Sequence, residues 1–163
     1  MSQTITIIGY TGQGKTLTTK ALIKGKKALI FDVNNEYEGY GYCDKNLDKE
    51  KFLSVALQVK NTCIVFEDAT GFFSGKGEDN LRRLLVNKRH TNNTYLFLFH
   101  SIQDTPPIFF RMSNTLVLCK TMDKENDIEK KASYLLPYFR EVQKMPFTKN
   151  IYPNVSRKII KLM

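Results

Sequence analysis

Cysteine is scarce in this 163-residue sequence, and long apolar runs are missing. The three cysteines, Cys43, Cys63 and Cys119, are an odd and widely spaced set, so they match neither a disulfide framework nor a zinc site. No apolar run approaches the length that crosses a bilayer, and the N-terminus leads directly into a predicted strand instead of a signal peptide. We therefore expect a protein without a membrane span of its own, located in the cytoplasm.

Acidic residues are few relative to basic ones. The chain has 25 lysines and arginines against 16 aspartates and glutamates, a formal net charge of +9, and no acid after Glu141. This balance favours a polyanionic partner, nucleic acid above all, although a merely soluble basic surface is the alternative. The length predicts a single domain, with a core over residues 1–145 and a basic C-terminal tail or edge strand over residues 146–163.

The strongest motif is the stretch Gly9-Tyr10-Thr11-Gly12-Gln13-Gly14-Lys15-Thr16, which fits the phosphate-loop pattern. A β-branched strand is predicted before it at residues 4–8, and a helix after it at 17–24. We expect its glycines to take positive φ, so that backbone N–H groups converge on a di- or triphosphate. Lys15 is expected on the β- and γ-phosphates and the Thr16 hydroxyl on Mg²⁺. The predicted nucleotide-binding residues are Gly9, Thr11, Gly12, Gln13, Gly14, Lys15, Thr16 and Leu17.

A second signal is an apolar run, predicted as a strand over residues 62–68, whose last two residues are the acids Glu67 and Asp68. Acids delivered beside a phosphate loop hold Mg²⁺ and orient an attacking water. Because adjacent side chains on a strand point to opposite faces, we expect separate roles, with Glu67 in the Mg²⁺ shell and Asp68 polarising water. The alternative is a strand that simply ends in solvated acids.

The remaining sequence predicts an α/β fold. Further strands are predicted at 26–32, 95–100 and 115–120, and helices at 48–59, 79–88, 123–136 and 138–144. Gly71, Gly75 and Gly77 are expected to form a loop, and Pro106 and Pro107 to interrupt any helix. Alternating strands and helices predict a three-layer sandwich with a mostly parallel central sheet and a ligand site at the strands' carboxyl ends.

Two groups of aromatic residues allow more than one placement in the fold. The pairs at 72–73 and 109–110 are expected in the core or a subunit interface and not on a base-stacking platform. The tyrosines at 37, 40 and 42 lie in a predicted loop that packs over the site or faces a pore.

In order along the chain, these motifs resemble the FtsK–HerA group of additional-strand P-loop ATPases. The similarity covers residues 4–123 and includes the acid-ending second strand, CIVFEDATGFF, NKRHTNNTYLFLFHSIQDTPP and NTLVLCKTMD. The small size resembles the compact genome-packaging ATPases of membrane-containing or filamentous-type phages. The resemblance implies ATP and Mg²⁺ as ligands, and a homo-oligomeric ring that acts on DNA.

The resemblance also implies residue roles. Glu67 falls in the metal-supporting place, Asp68 is the catalytic acid, Arg89 is an arginine finger for a neighbouring subunit, and His100 or Gln103 is the sensor. The chain departs from the family twice. Its acids come in the order Glu-Asp instead of Asp-Glu, and His100 stands at the strand end where the family usually has glutamine.

The leading functional hypothesis is a DNA-translocating motor that packages a viral genome, in the cytoplasm of an infected host or associated with the virion. A capsid or membrane-vertex protein is a possible docking partner. One alternative is a filamentous-phage-type assembly ATPase, although those chains usually have a membrane span. Another is a small P-loop kinase that uses Arg82, Arg83 and Arg89 on its phosphates. A GTPase is disfavoured because residues 120–123 do not supply the guanine-reading motif.

Overall fold

Seven strands form one sheet in the computed structural model, which describes residues 2–44, 48–73, 77–146 and 156–162. The strands are β1 (Gln3–Ile8), β2 (Ala28–Phe31), β3 (Tyr42–Asp44), β4 (Cys63–Phe66), β5 (Thr94–Phe99), β6 (Thr115–Cys119) and β7 (Arg157–Lys161). Their order across the sheet is β3-β2-β4-β5-β1-β6-β7. Every pair is parallel except β6 with β7. The predicted mostly parallel sheet is confirmed.

Seven helices cover this sheet unequally. They are α1 (Lys15–Ile23), α2 (Lys49–Gln58), α3 (Ala69–Phe72), α4 (Gly77–Thr91), α5 (Pro107–Met112), α6 (Glu125–Ala132) and α7 (Leu136–Lys144), with a 3₁₀ turn at Ser133–Leu135. Helices α2 to α7 pack on one face, and α1 packs on the other beside the loop that carries Tyr37 and Tyr40. This arrangement confirms the predicted three-layer sandwich. No helix in the described parts of the chain is long and apolar enough to span a bilayer.

One strand lies between the strand that leads into the phosphate loop and the strand that ends in acids. Strand β5 pairs with β1 on one side and with β4 on the other. The carboxyl ends of the parallel strands therefore meet at one edge, with residue 100 between the phosphate loop and residues 67–68.

The core divides along the pleat of the sheet because successive side chains of a strand point to opposite faces. On β1, Ile5 and Ile7 pack toward α1, and Ile8 packs toward the other helices. The larger side is built from aromatic rings: Phe97 stacks on Phe66 with centroids 4.8 Å apart and meets Phe109 edge-on at 4.8 Å. Phe72, Phe73 and Phe109 are buried in the core, as expected for these pairs in the core or a subunit interface, whereas Phe110 is only partly buried against it.

Three sequence-based expectations about elements are wrong. Residues 42–44 form the edge strand β3 and not a loop, although only three residues pair. Pro107 begins α5 instead of breaking a helix, because its missing N–H is not needed in a first turn. Gly71 lies within α3 and Gly77 starts α4, whereas Gly75 falls outside the described residues.

At the C-terminus, β7 adds an antiparallel edge to β6. The proposed domain division near residue 145 stays a prediction, and residues 147–155 lie outside the described chain.

The aromatic core generates a stability prediction. We expect Phe97→Ala to lower the free energy of unfolding by about 3–5 kcal/mol, because it removes a fully buried ring. Urea unfolding followed by circular dichroism measures the change. Val86→Ala is the control, since Val86 is 68% exposed and its truncation should alter stability by less than about 0.5 kcal/mol. Equal effects of the two substitutions would contradict the packing described here.

Candidate nucleotide-binding site

A cavity of about 280 Å³ opens at the carboxyl edge of the sheet. Its lining comes from the phosphate loop, the ends of β2, β4 and β5, and the start of α1: Thr11, Gly12, Lys15, Thr16, Val33, Asn34, Glu36, Glu67, Asp68, Leu98 and His100. An adjoining depression of about 360 Å³ continues along α1 past Leu17 and Lys20. A larger hollow of about 650 Å³, between residues 23–28 and 39–42, lies at the other end of α1, away from the phosphate loop.

The phosphate loop is anchored by the strands on both sides of β1. The Gly9 N–H donates to the Phe99 carbonyl at 3.0 Å, and the Tyr10 N–H donates to the Lys120 carbonyl at 2.8 Å. Gly12 and Gly14 take φ of 76° and 87°, as expected. Gly9 does not have a positive φ, which corrects that expectation. It must be glycine because a Cβ there would lie 2.6 Å from the Cβ of Cys119.

Lys15 folds back into this loop. Its Nζ donates to the carbonyls of Gly9 at 2.6 Å and Tyr10 at 3.2 Å, and it lies 3.4 Å from Nδ1 of His100. Burial lowers the pKa of Lys15, opposed in part by Cys119 and by the carboxylates of Glu67 and Glu36. The ammonium group therefore lies where the oxygens of a bound phosphate can replace these two carbonyls as hydrogen-bond acceptors.

The start of α1 lies at the cavity, and no side chain in the described part of the sequence caps its first backbone N–H groups. Its N-cap is Gly14, which has no side chain to accept hydrogen bonds from the first turn. Such a helix start is suited to binding an anion. The Thr16 hydroxyl, in this same turn, donates to Oε2 of Glu36 at 2.7 Å.

Glu36 is the site residue that the sequence analysis missed. It follows the acid-ending strand β2, within the segment that carries the family resemblance, but residue spacing alone does not reveal its contact with Thr16. The signal that pointed toward it was the acid-rich end of the second strand.

The two acids after β4 do not divide between opposite faces of the sheet. Because β4 ends at Phe66, Glu67 and Asp68 lie in the following turn, and both line the same cavity. The strand-alternation argument is therefore wrong. Glu67 is buried, and its Oε2 accepts from the backbone N–H groups of Val33 at 2.7 Å and Asn34 at 3.3 Å. Burial raises the pKa of Glu67, as do Asp32 and Glu36, whereas the two backbone donors lower it.

His100 and Gln103 occupy different places. His100 lines the cavity between Lys15 and Asp68, whereas Gln103 is exposed and is not part of the lining. The backbone N–H of Gln103 donates to Oδ1 of Asp123 at 3.1 Å. The position of His100 favours it as the sensor, and that role stays a prediction.

Arg89 is exposed in the last turn of α4, at the amino edge of the sheet. The neighbouring Lys88 donates to Oγ1 of Thr4 at 3.3 Å, near the start of β1. The phosphate loop begins at the opposite end of β1, about 20 Å away for a six-residue strand. Arg89 therefore lies too far away to reach phosphates bound at the phosphate loop of the same chain.

The oxygen donors of the cavity suit Mg²⁺ chemically. They are the Thr16 hydroxyl and the carboxylates of Glu36, Glu67 and Asp68. Within the described ranges, no group of three acidic, histidine or cysteine side chains is close enough to hold a metal ion by itself. Mg²⁺ in enzymes that act on phosphates is usually bound by one or two protein oxygens together with substrate phosphates and water.

The environment of His100 predicts an unusual titration. Burial and then the charge of Lys15 lower the pKa of His100, with Asp68 and Asp104 opposing them. We expect a midpoint below the usual value of about 6.5 in an NMR titration. Replacing Lys15 with methionine removes the repulsive charge and should move the midpoint upward.

The chain has two histidines, so His90→Gln assigns the two signals. An unchanged His100 midpoint in the Lys15→Met variant would show that the two groups do not interact.

No protein-family model matches the sequence, and no curated protein matches it. Solved structures do match its fold. The genome-packaging NTPase B204 from Sulfolobus turreted icosahedral virus 2, in complex with ATP-gammaS, aligns with a TM-score of 0.72 at 14% identity, over 98% of this chain and 97% of that one. The DNA-packaging ATPase B204 from Sulfolobus turreted icosahedral virus aligns with a TM-score of 0.73 at 16% identity, over 99% and 98%.

A larger protein shares the same core. The pCW3 conjugation coupling protein TcpA, with ATPgS, aligns with a TM-score of 0.55 at 14% identity, over 80% of this chain and 52% of that one. At these identities the similarity is one of fold. The chain therefore shares its α/β fold with these NTPases, as its motifs predict.

Proposed function

We propose that this protein is a Mg²⁺-dependent ATPase that assembles into a homo-oligomeric ring and translocates DNA, packaging a viral genome. The observation that carries the proposal is the cavity that joins Lys15 and Thr16 to the acids after β4, within a fold that matches viral packaging NTPases end to end. The fold supports a nucleotide site, and the acids support hydrolysis by water.

The residues divide the chemistry as follows. The loop N–H groups, the start of α1 and Lys15 bind the β- and γ-phosphates. The Thr16 hydroxyl and a carboxylate of the cavity, Glu67 or Glu36, would hold Mg²⁺, which would neutralise charge on the phosphate oxygens. Asp68 orients the attacking water and accepts its proton as the new O–P bond forms and the bond to the ADP oxygen breaks. His100 senses the γ-phosphate through its position between Lys15 and Asp68.

Ring formation is supported by the place of Arg89. An arginine supplied by a neighbour stabilises charge that develops on the transferred phosphoryl group. Since Arg89 lies at the edge of the sheet opposite its own phosphate loop, it acts in trans or has no catalytic role.

DNA as the substrate of translocation is supported by the net charge of +9 and by the functions of the proteins with the matching fold. A packaging motor works in the infected cell or on the virion, docked to a capsid or membrane-vertex protein. The kinase alternative is disfavoured because the cavity places the carboxylates of Glu67 and Asp68, which suit activation of a water, beside the phosphate loop. An assembly ATPase would share this hydrolytic site, so the response to DNA distinguishes it from a packaging motor.

The proposal predicts ATP hydrolysis that DNA stimulates. Phosphate release by the purified protein should increase when DNA is added, and Lys15→Ala should abolish both basal and stimulated turnover. Turnover without a response to DNA would favour an assembly ATPase that awaits a protein partner. Hydrolysis only in the presence of a nucleoside or nucleotide acceptor would indicate a kinase and contradict the proposal.

The trans role predicts the behaviour of Arg89→Ala. Turnover should fall by about a thousandfold while nucleotide binding is retained, because the arginine acts on the transition state in the next subunit. Arg82→Ala is the matched control on the same helix and should keep most activity.

A second measurement is the turnover of mixed Arg89→Ala and Lys15→Ala subunits. Arg89→Ala subunits have intact nucleotide sites, so adding Lys15→Ala subunits, which keep Arg89, should restore some turnover. Normal activity of Arg89→Ala alone would remove the finger assignment.

A further inference from the structure

The contact between Thr16 and Glu36 assigns a role that neither the motifs nor the fold comparison provides. The Thr16 hydroxyl has one hydrogen to donate and two lone pairs to offer. The hydrogen goes to Oε2 of Glu36 at 2.7 Å, which leaves the lone pairs of Thr16 oriented away from that carboxylate. A threonine held in this way is prepared to ligate a cation.

Glu36 is held in position by its backbone. Asp32, which is buried, accepts from the N–H of Glu36 through Oδ1 at 2.9 Å and from the N–H of Tyr37 through Oδ2 at 3.1 Å. Asn35 takes a left-handed φ of 56°, which turns the chain sharply just before Glu36. These constraints fix a tight turn over residues 32–37.

Tyr37 then attaches this turn to α1. Its side chain is fully buried, and burial raises its pKa, with the hydroxyls of Thr19 and Thr16 acting in the opposite direction. The turn and the first turns of α1 therefore form one packed unit, and Glu36 is presented to Thr16 from that unit.

Glu67 is engaged differently. One of its oxygens accepts two backbone N–H groups from residues 33 and 34, and the other lies 3.5 Å from Nδ2 of Asn34. Within the described part of the chain, the Glu36 carboxylate has Thr16 as its one hydrogen-bond partner. Of the two glutamates, Glu36 therefore has the greater capacity left for a cation or its water shell.

We propose that Glu36 is the carboxylate that couples Thr16 to Mg²⁺, and that Glu67 positions it by holding the backbone of the 32–37 turn. The inference rests on the proposed function, since Mg²⁺ arrives with the nucleotide. It refines that function by assigning the carboxylate that interacts with Mg²⁺ to Glu36, in the turn after β2, instead of Glu67 after β4.

The test is nucleotide binding measured with and without Mg²⁺, using a fluorescent ribose-labelled ATP analogue. Glu36→Gln keeps the shape and the hydrogen-bond acceptor but removes the charge. We expect it to lose about tenfold or more of the affinity that Mg²⁺ adds. Affinity in EDTA should be unchanged or higher, because a negative charge near the phosphates is gone. A residue with a purely structural role would weaken binding in both conditions.

Two variants complete the design. Glu38→Gln removes an exposed carboxylate two residues further along and should match the wild type in both conditions. Glu67→Gln, if that residue positions the turn, should weaken binding with and without Mg²⁺. Urea unfolding of each variant checks that the fold is retained.

The outcomes separate the inference from the function on which it rests. A full Mg²⁺ effect in Glu36→Gln would overturn the inference, and so would loss of that effect in Glu67→Gln alone. In either case the ATPase proposal would stand. A wild-type protein that binds no nucleotide would overturn both.

Discussion

The structure depends on how the first strand is fixed. Strand β1 lies between β5 and β6, and the backbone bonds from Gly9 to β5 and from Tyr10 to the residue after β6 extend this pairing into the phosphate loop. The chain leaves the sheet so close to Cys119 that no side chain fits at Gly9. Everything that faces the nucleotide is placed relative to this exit point: α1 follows it, His100 lies to one side, and the acids lie one strand further away.

Much of this could be predicted from the sequence because the signals are local. A β-branched strand, a glycine-rich turn and a helix in immediate succession leave few alternatives for residues 4–24. Apolar runs that end in polar residues predicted the bounds of β2, β4, β5 and β6 to within one or two residues. Because the carboxyl ends of parallel strands share one edge of the sheet, they also predicted that Lys15, Thr16, Glu67, Asp68 and His100 lie together.

The features that were missed depend on tertiary contacts. Whether Glu67 and Asp68 face one cavity is decided by where β4 stops pairing, and the apolar pattern does not mark that point. Strand β3 has only three residues, Tyr42–Asp44, and its local sequence has a weak preference for a strand. It forms because it pairs with β2, a contact that the sequence does not reveal. The hydrogen bond from Thr16 to Glu36 joins residues twenty positions apart, and it exists because Asp32 and Asn35 shape the intervening turn.

The neighbours of His100 explain which hydrogen bonds an imidazole can make at the end of β5. A glutamine side chain offers one acceptor and paired donors without a charge. Neutral imidazole also offers one acceptor and one donor, and burial together with Lys15 keeps His100 in that form by lowering its pKa. Its Nδ1 lies 3.4 Å from Nζ of Lys15, so the tautomer with the hydrogen on Nε2 is the one that can accept from the ammonium group. In the sensor role predicted from the resemblance, His100 would offer the hydrogen-bonding capacity of an amide in a form that depends on pH. Protonation of the ring in acid removes the acceptor and places a second positive charge beside Lys15.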